Sequence, residues 1–365
     1  MGRDVTGLAI TSLQLSHFRS HRLTRMEFDG RPVAIHGPNG VGKTNVLEAI
    51  SLLSPGRGMR RAAAGDLPRQ PEALGWRIAA RLRGLMADHD IETGAEGGEA
   101  RSVRIDAKAA TQAMLGQICR VLWLVPSMDR LWIETAEGRR RFLDRMALSF
   151  FPEHGEAVIA YEKAMRDRKR LVKGQVEGGR WYGAIEAQMA EAGARIDDFR
   201  ARTVTRLMAA QEGAETAFPR ADLELIAGDG TGPDLARLWS EGRRRDMAAG
   251  RTLIGPHRAD LGAILASKRV AASQCSTGEQ KALLISLILA NARALAADLG
   301  RAPVVLLDEV AAHLDAARRA ALYDEICALG AQAIMTGTEP ALFDSLGERA
   351  QSFAISEEGG VSRVW

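Results

Sequence analysis

The sequence predicts an α/β fold with a mainly helical second lobe inserted into it, and three observations carry that expectation. "GPNGVGKT", Gly37 to Thr44, stands between a short apolar strand, "VAIH", and a helix-forming run, "NVLEAISLL". Far downstream, "PVVLLDEV" (303 to 310) reads as a continuous apolar strand that ends in two adjacent acids. Between the two, from Gly138 to about Ala217, the chain becomes helical and charged.

The 365 residues have room for two domains, or for one domain with a large insertion. The character of the sequence divides it into outer segments 1–125 and 250–365, expected to fold together, and an inserted segment 126–249. With 46% apolar residues the chain can bury a sizeable core. A net charge of +3 is nearly neutral at this length, so any contact with nucleic acid must come from local basic patches. Cys119, Cys275 and Cys327 are scattered without CxxC spacing, which argues against a zinc site or a disulfide framework. That usage suits a reducing cytoplasm. The longest apolar run, Ala282 to Ala290, is half of a membrane span, and no signal peptide is read at the N-terminus. A soluble cytoplasmic protein is expected.

Residues 8 to 36 alternate and carry β-formers in "LAITSLQLSHF", "RMEF" and "PVAIH". Further strands are expected at "WRIAARL", "RSVRID" and "VLWLV", with a hairpin loop near Gly94 to Gly98. In the charged middle, Val158, Tyr161, Met165, Arg168 and Val172 follow helical 3-4 spacing, and so do Ile185, Met189, Ala192, Ile196 and Phe199. Joined by "KGQVEGGRW", they predict an antiparallel helical hairpin. Arg168 in the seam fits that reading poorly and leaves open two amphipathic helices of an ordinary bundle. After Thr252 strand and helix signals alternate again through "PVVLL" and "AQAIMT".

Three stretches carry chemistry. Gly37, Pro38, Asn39, Gly40, Val41, Gly42, Lys43 and Thr44 match GxxxxGK[ST] in its strand–loop–helix context, the pattern of a P-loop. Glycines let such a loop wrap with its N–H groups inward around phosphate oxygens, and the helix adds its positive N-terminal end. Lys43 would reach the β- and γ-phosphates of ATP, and the Thr44 hydroxyl would bind Mg²⁺. Two acids ending an apolar strand are costly unless they have work to do. Asp308 is expected on the Mg²⁺ shell, and Glu309 is placed to orient or deprotonate the attacking water. Either acid could instead end a surface turn.

The third stretch is "CSTGEQKALLISLILANA" (275 to 292). Ser276 and Glu279 read as a capping box at a helix entrance. That role does not require Gly278, which costs about 1 kcal/mol relative to alanine inside a helix. A glycine there admits a close backbone or ligand. Taken together, the three stretches resemble an ABC-type ATPase head, a mixed sheet with helices. The resemblance implies that Ser276, Thr277, Gly278, Glu279 and Gln280 form a signature facing the γ-phosphate held by a second subunit.

The order and spacing narrow the resemblance. The signature follows the P-loop at a longer distance than in ABC transporter subunits. No long coiled coil or CxxC hook of the SMC type intervenes. "LQLSHFRSH" (13 to 21), "GPNGVGKTNVLEAISLLSPGRGMR", "EGRRRFLDRM" (137 to 146), "RTLIGPHRADL" (251 to 261) and "DEVAAHLD" (308 to 315) resemble the RecF family nearly end to end. There are two departures. "VPSMDRL" stands where the family has a Ser-Pro-Glu-Asp-Leu-like run. "IMTGTE" offers Thr336 and Thr338 where many ABC ATPases have a strand-end histidine, which is compatible with slow hydrolysis.

The resemblance implies an ATPase using ATP and Mg²⁺, with Asp315 in the D-loop. It further implies an ATP-dependent head-to-tail homodimer on double-stranded DNA near gaps and junctions. RecR- and RecO-type partners would assist RecA loading and SOS induction. Of the basic clusters, Arg139 to Arg141, Arg166 to Arg170 and Arg243 to Arg245 are candidates for backbone-led, salt-sensitive DNA contacts. His257 and Arg258 are candidates for catalysis or for a polar hinge. The alternative from another class is the ATPase subunit of a membrane transporter.

Overall fold

The computed structural model describes residues 8–72, 74–84, 86–176, 179–228 and 234–365. It groups into two compact units, one of residues 1–129, 213–219 and 281–365 and one of residues 130–212 and 220–280. The return to the first unit therefore comes at 281 rather than 250. The segment after Thr252, strand-like as expected, completes a small sheet in the second unit.

The chain opens with β1 (Ala9–Phe18), β2 (His21–Glu27) and β3 (Val33–His36), followed by helix α1 (Lys43–Ser51). Next come β4 (Trp76–Arg83), β5 (Asp88–Ala95), β6 (Ser102–Ile105), β7 (Lys108–Ala109), α2 (Gln112–Ile118) and β8 (Val121–Leu124). The second unit supplies α3 (Ala136–Phe150), α4 (Glu153–Lys173), α5 (Gly179–Gln211), β9 (Ala221–Ile226), α6 (Leu235–Ala249), β10 (Asp260–Leu265) and β11 (Val270–Ala271). Helix α7 (Thr277–Leu299) leads back to β12 (Val304–Leu307), α8 (Ala316–Ala328), β13 (Ala333–Gly337), β14 (Gln351–Glu358) and β15 (Val361–Val364).

Among the described residues the first unit holds two six-stranded sheets. One is antiparallel, in the order β2-β1-β4-β5-β6-β7. The other runs β15-β14-β3-β13-β12-β8 and is parallel throughout except for the β14–β15 hairpin. Period-two alternation turns Leu13, Leu15, Ile78 and Leu82 inward from the first sheet. The parallel strands are apolar on both faces, with Val33, Ile35, Leu306 and Ile334 buried on one and Ala34, Leu307 and Met335 on the other. Helix α1 joins the same core through Val46, Leu47 and Ile50, each with no exposed surface. Burying each of these side chains stabilises the unit by about 1.5–3 kcal/mol, so the helix behind the phosphate loop is rigidly seated.

Helix α7 is long and apolar enough by composition to cross a membrane, but two thirds of its most apolar stretch is buried. Leu283, Leu284, Leu287 and Ala290 are fully enclosed. It is a core helix of a folded unit.

In the second unit α4 and α5 pair antiparallel. Arg168 meets Glu186 at one end, and His154 lies against Phe199 at the other. The link between them includes residues 177–178, which lie outside the described residues. Ala157, Tyr161, Ala164, Met189, Ala192 and Ile196 form the seam, closed by Leu235 and Trp239 of α6. Arg168 belongs in that seam because its guanidinium is matched on every side. It binds Glu186 at 3.0 Å, Asp246 at 2.6 Å, Thr252 at 2.9 Å and the Trp239 carbonyl at 3.2 Å. A buried charge is tolerated when it is paired and fully hydrogen-bonded.

Candidate nucleotide site

The P-loop connects the end of β3 to α1. Gly37, Gly40 and Gly42 have φ of +150°, +84° and +103°, values that side chains with a Cβ rarely adopt. Space also demands glycine at two of them. A Cβ on Gly37 would fall 2.1 Å from the Ile355 carbonyl oxygen, and one on Gly42 would fall 2.3 Å from Ser362 Oγ. Lys43 is buried, and its ammonium donates to the Gly37 and Pro38 carbonyls at 2.7 Å each. Burial lowers its pKa, while the carboxylates of Glu309 and Asp308 work the other way. The lysine charge therefore folds back over its own loop, within reach of anything the loop holds.

Asp308 follows β12, the strand two places from β3 in the sheet, with β13 between them. Its Oδ1 accepts from the Thr44 hydroxyl at 2.9 Å and from the Thr336 hydroxyl, on β13, at 2.8 Å. Thr336 in turn accepts the Glu309 N–H at 2.9 Å. That bond holds Glu309 at φ 54°, ψ 18°, a left-handed conformation costing a non-glycine residue roughly 1–2 kcal/mol. A strained backbone at a strand end, fixed by a buried hydroxyl, aims a half-buried carboxylate beside the P-loop. The Thr44 hydroxyl and the Asp308 carboxylate are hard oxygen donors meeting at one point, a donor set that fits Mg²⁺.

Thr336 is fully buried and spent on this pair, so it is not a hydroxyl facing outward in place of the missing histidine; Thr338 is exposed. Sequence reasoning missed Thr336 as an organiser of the acids. It also missed the clamp on α1. Glu48, 1% exposed, is held bidentately by Arg19 at 2.7 and 2.9 Å and again by Arg60 at 3.3 Å. Arg19 sits at φ +53° in the β1–β2 turn. An acid in the apolar run "NVLEAISLL" is the signal that a cation must come from elsewhere.

Ser276 to Gln280 lie in the other unit, at the entrance of α7. The capping box forms: the Ser276 N–H and hydroxyl reach Glu279 Oε2 at 2.9 and 2.8 Å, and the Glu279 N–H reaches back to Ser276 Oγ at 3.4 Å. Lys268 also pairs with Glu279, and the hydrogen bonds from Lys268 and Ser276 bring that carboxyl down to about 2. Gln280 is buried and donates to the Cys275 carbonyl at 2.9 Å. Ser276, Thr277 and Gly278 are exposed, and a Cβ on Gly278 would meet nothing within 4 Å. Packing within this chain gives no reason for that glycine. Asp315 caps α8, accepting the Arg318 N–H at 2.8 Å, and is exposed.

Each basic cluster spends part of its charge inside the second unit, while Arg141, Arg166, Lys169, Arg170, Arg244 and Arg245 stay exposed. Arg139 grips Asp260 with two 2.8 Å bonds, and Arg140 donates to the Ala259 carbonyl at 2.8 Å. Arg168 is buried as described, and Arg243 pairs with Glu186 at 2.6 Å while lying over the Tyr182 ring. Asp144 is bound twice by Arg200, which also donates to the Pro256 carbonyl at 2.7 Å. The Arg-Arg-Phe-Leu-Asp and Gly-Pro-His-Arg segments thus interlock. His257 is part of the lock: Nε2–H donates to the Thr252 carbonyl at 3.1 Å and Nδ1 accepts the Tyr161 hydroxyl at 2.8 Å. Burial brings it down to about 4, so it is neutral at physiological pH and serves the packing of this unit.

Residues 12–130 match a family model described as an AAA domain. The chain is 46% identical to the DNA replication and repair protein RecF of Rhizobium leguminosarum, over 96% of this chain and 98% of that protein. It is 48% identical to the protein of the same name from Brucella suis, over 96% and 95%. Among solved structures it resembles the recombination mediator protein RecF with ATP in the RecFOR pathway, at TM-score 0.84, 21% identity and coverage of 99% and 98%. It also resembles an Smc head domain of Pyrococcus furiosus bound to the C-terminal domain of ScpA, at TM-score 0.57, 19% identity and coverage of 98% and 96%.

Proposed function

The chain belongs to the RecF family of DNA replication and repair proteins, with the fold of an ABC/SMC-head ATPase, and from that premise we propose how it works. ATP closes two copies head to tail over double-stranded DNA near gaps and junctions, and slow hydrolysis releases them. RecR- and RecO-type partners act with the closed form in the cytoplasm to help load RecA, which in turn supports SOS induction.

One observation carries the catalytic part. Thr44 and Thr336 both donate to the Asp308 carboxylate beside the P-loop, and Thr336 also accepts the Glu309 N–H. In this reading the amides of Gly37 to Thr44 hold the triphosphate, and Lys43 leaves its two carbonyls to take the terminal phosphates. Thr44 and Asp308 would hold Mg²⁺, which when bound neutralises charge on the phosphate oxygens. Glu309 accepts a hydrogen bond from the attacking water and orients it. The exposed Ser276–Gly278 entrance meets the triphosphate held by the other copy, and the unpacked Gly278 lets its backbone approach. Asp315 lies along the same contact. The glycine with no neighbour in its own chain favours a partner over a cap alone.

Light scattering tests the assembly, with no nucleotide, ADP, ATP, and ATP plus duplex DNA. The mass should double with ATP, and a heavier complex should form with DNA. A monomer under all four conditions overturns the clamp.

A further inference from the structure

Behind the P-loop a single file of side chains ends on the Val41 carbonyl, and the chemistry of each member fixes the direction of every hydrogen bond. Arg60 can only donate, so the atom of Asn45 that it meets at 2.9 Å is Oδ1. Asn45 therefore presents Nδ2 to Ser20 Oγ at 2.8 Å. At the far end, the Val41 carbonyl can only accept, so Ser362 of β15 gives it the hydroxyl proton at 2.6 Å. Ser20, 2.6 Å from Ser362 Oγ, must then donate to Ser362 while accepting from Asn45. Beside this file, His21 Nε2 lies 3.1 Å from the Gly42 carbonyl and must carry the proton, because Nδ1 accepts from Thr24 Oγ1 at 2.9 Å. Ser362 is 2% exposed and His21 not at all.

Peptide geometry turns these bonds into a statement about the front of the loop. In a planar trans peptide the C=O and the following N–H point in opposite directions. A Val41 carbonyl held from behind by Ser362 sends the Gly42 N–H forward. A Gly42 carbonyl held by His21 does the same for the Lys43 N–H. We infer that Ser362 and His21 are positioning residues, which set two P-loop amides toward a bound di- or triphosphate without touching it. The inference rests on the nucleotide-site reading above. It assigns the C-terminal strand a role in nucleotide affinity.

Calorimetric titration with ADP and ATP tests this on Ser362→Ala, Ser362→Val and Ser362→Thr. Valine and threonine are near-isosteres, so they add the same bulk and differ in the hydroxyl. Alanine and valine should weaken both nucleotides about tenfold, the scale of one hydrogen bond serving a charged ligand. Threonine should recover most of that loss, while valine and threonine melt within a degree or two of each other. His21→Gln against His21→Leu gives the same contrast at the Gly42 carbonyl, should either Ser362 variant fail to fold. Equal affinities for valine and threonine, or affinities that follow melting temperature alone, overturn the positioning role. Wild-type protein that binds neither nucleotide overturns the nucleotide site itself, a different failure.

Discussion

Thr336 and Asp308 are joined by a 2.8 Å hydrogen bond between adjacent strand ends, and the same Thr336 oxygen accepts the Glu309 N–H at 2.9 Å. One buried hydroxyl thus sets both the carboxylate proposed for Mg²⁺ and the backbone of Glu309, the residue proposed to orient the water. Removing it while keeping its shape leaves a buried N–H unpaired, at a cost of about 1–3 kcal/mol. Thr336→Val should therefore lower kcat at least about tenfold and change KM for ATP much less. Thr336→Ser should recover most of the rate. Steady-state kinetics on the three proteins checks it, and a full-rate valine variant would show that Glu309 is aimed by something else.

The Lys43 ammonium rests on the Gly37 and Pro38 carbonyls, from which it can fold onto the terminal phosphates. Lys43→Met should abolish turnover and severely weaken ATP-driven DNA binding, while the fold survives because the side chain stacks over its own loop. Normal hydrolysis in a folded Lys43→Met protein would remove the ATP site from Gly37 to Thr44.

Glu309→Gln keeps the size and the left-handed backbone but loses the carboxylate. The variant should bind ATP, close, and remain closed, since cleavage is the step that fails. Size-exclusion with ATP should show a long-lived dimer, and phosphate release should fall to background.

Two groups in the second unit titrate with opposite signs. His257, about 4 when folded against an ordinary 6.5, binds its proton more readily unfolded, so it removes stability as pH falls from 6.5 to 4. Burial instead raises Asp197 to about 6 from 3.8. It binds its proton more readily folded, so it adds stability as pH falls from 6 toward 4. The two oppose each other over that window. Asp197→Asn should therefore make thermal unfolding more acid-sensitive between pH 6.5 and 4 than in the wild type. His257→Gln should make it less so. Parallel curves for all three proteins would remove these groups from the pH response.

The parts legible in the sequence are those whose signal is local. "GPNGVGKT" and "PVVLLDEV" carry their own glycines, apolar runs and acids, and they fell on the strand ends expected of them. The 3-4 spacing of Tyr161 and Met189 likewise located the α4–α5 seam. What could not be read depends on partners distant in the chain. The β14–β15 hairpin, turned at Gly359–Gly360 with φ of 58° and 74°, is too polar to announce itself. It matters because Ser362 meets a carbonyl 321 residues earlier. Arg139 and Arg140 look like a basic surface run until Asp260 and the Ala259 carbonyl are brought beside them. Thr336 looked like a substitute for a histidine, and only the neighbouring strand reveals what its hydroxyl does.

Ser276 separates a helix cap from a shared site, because only one reading puts its target in another molecule. The capping bonds of Ser276 are present and exposed. If capping is its whole role, Ser276→Arg costs on the order of 1 kcal/mol and leaves assembly alone. If the entrance faces a partner's triphosphate, the long side chain blocks that approach despite its favourable charge. ATP binding to the monomer should then survive, since Gly37 to Thr44 are intact, while ATP-induced dimerisation and turnover are both lost. Mixing Ser276→Arg with Lys43→Met subunits sharpens the test. In a head-to-tail pair each composite site takes its P-loop from one copy and its Ser276 entrance from the other. The heterodimer therefore puts both defects in one site and keeps the second whole. Mixing should recover ATPase activity that neither variant has alone, and a Ser276→Arg protein that dimerises normally on ATP would return the stretch to a simple cap.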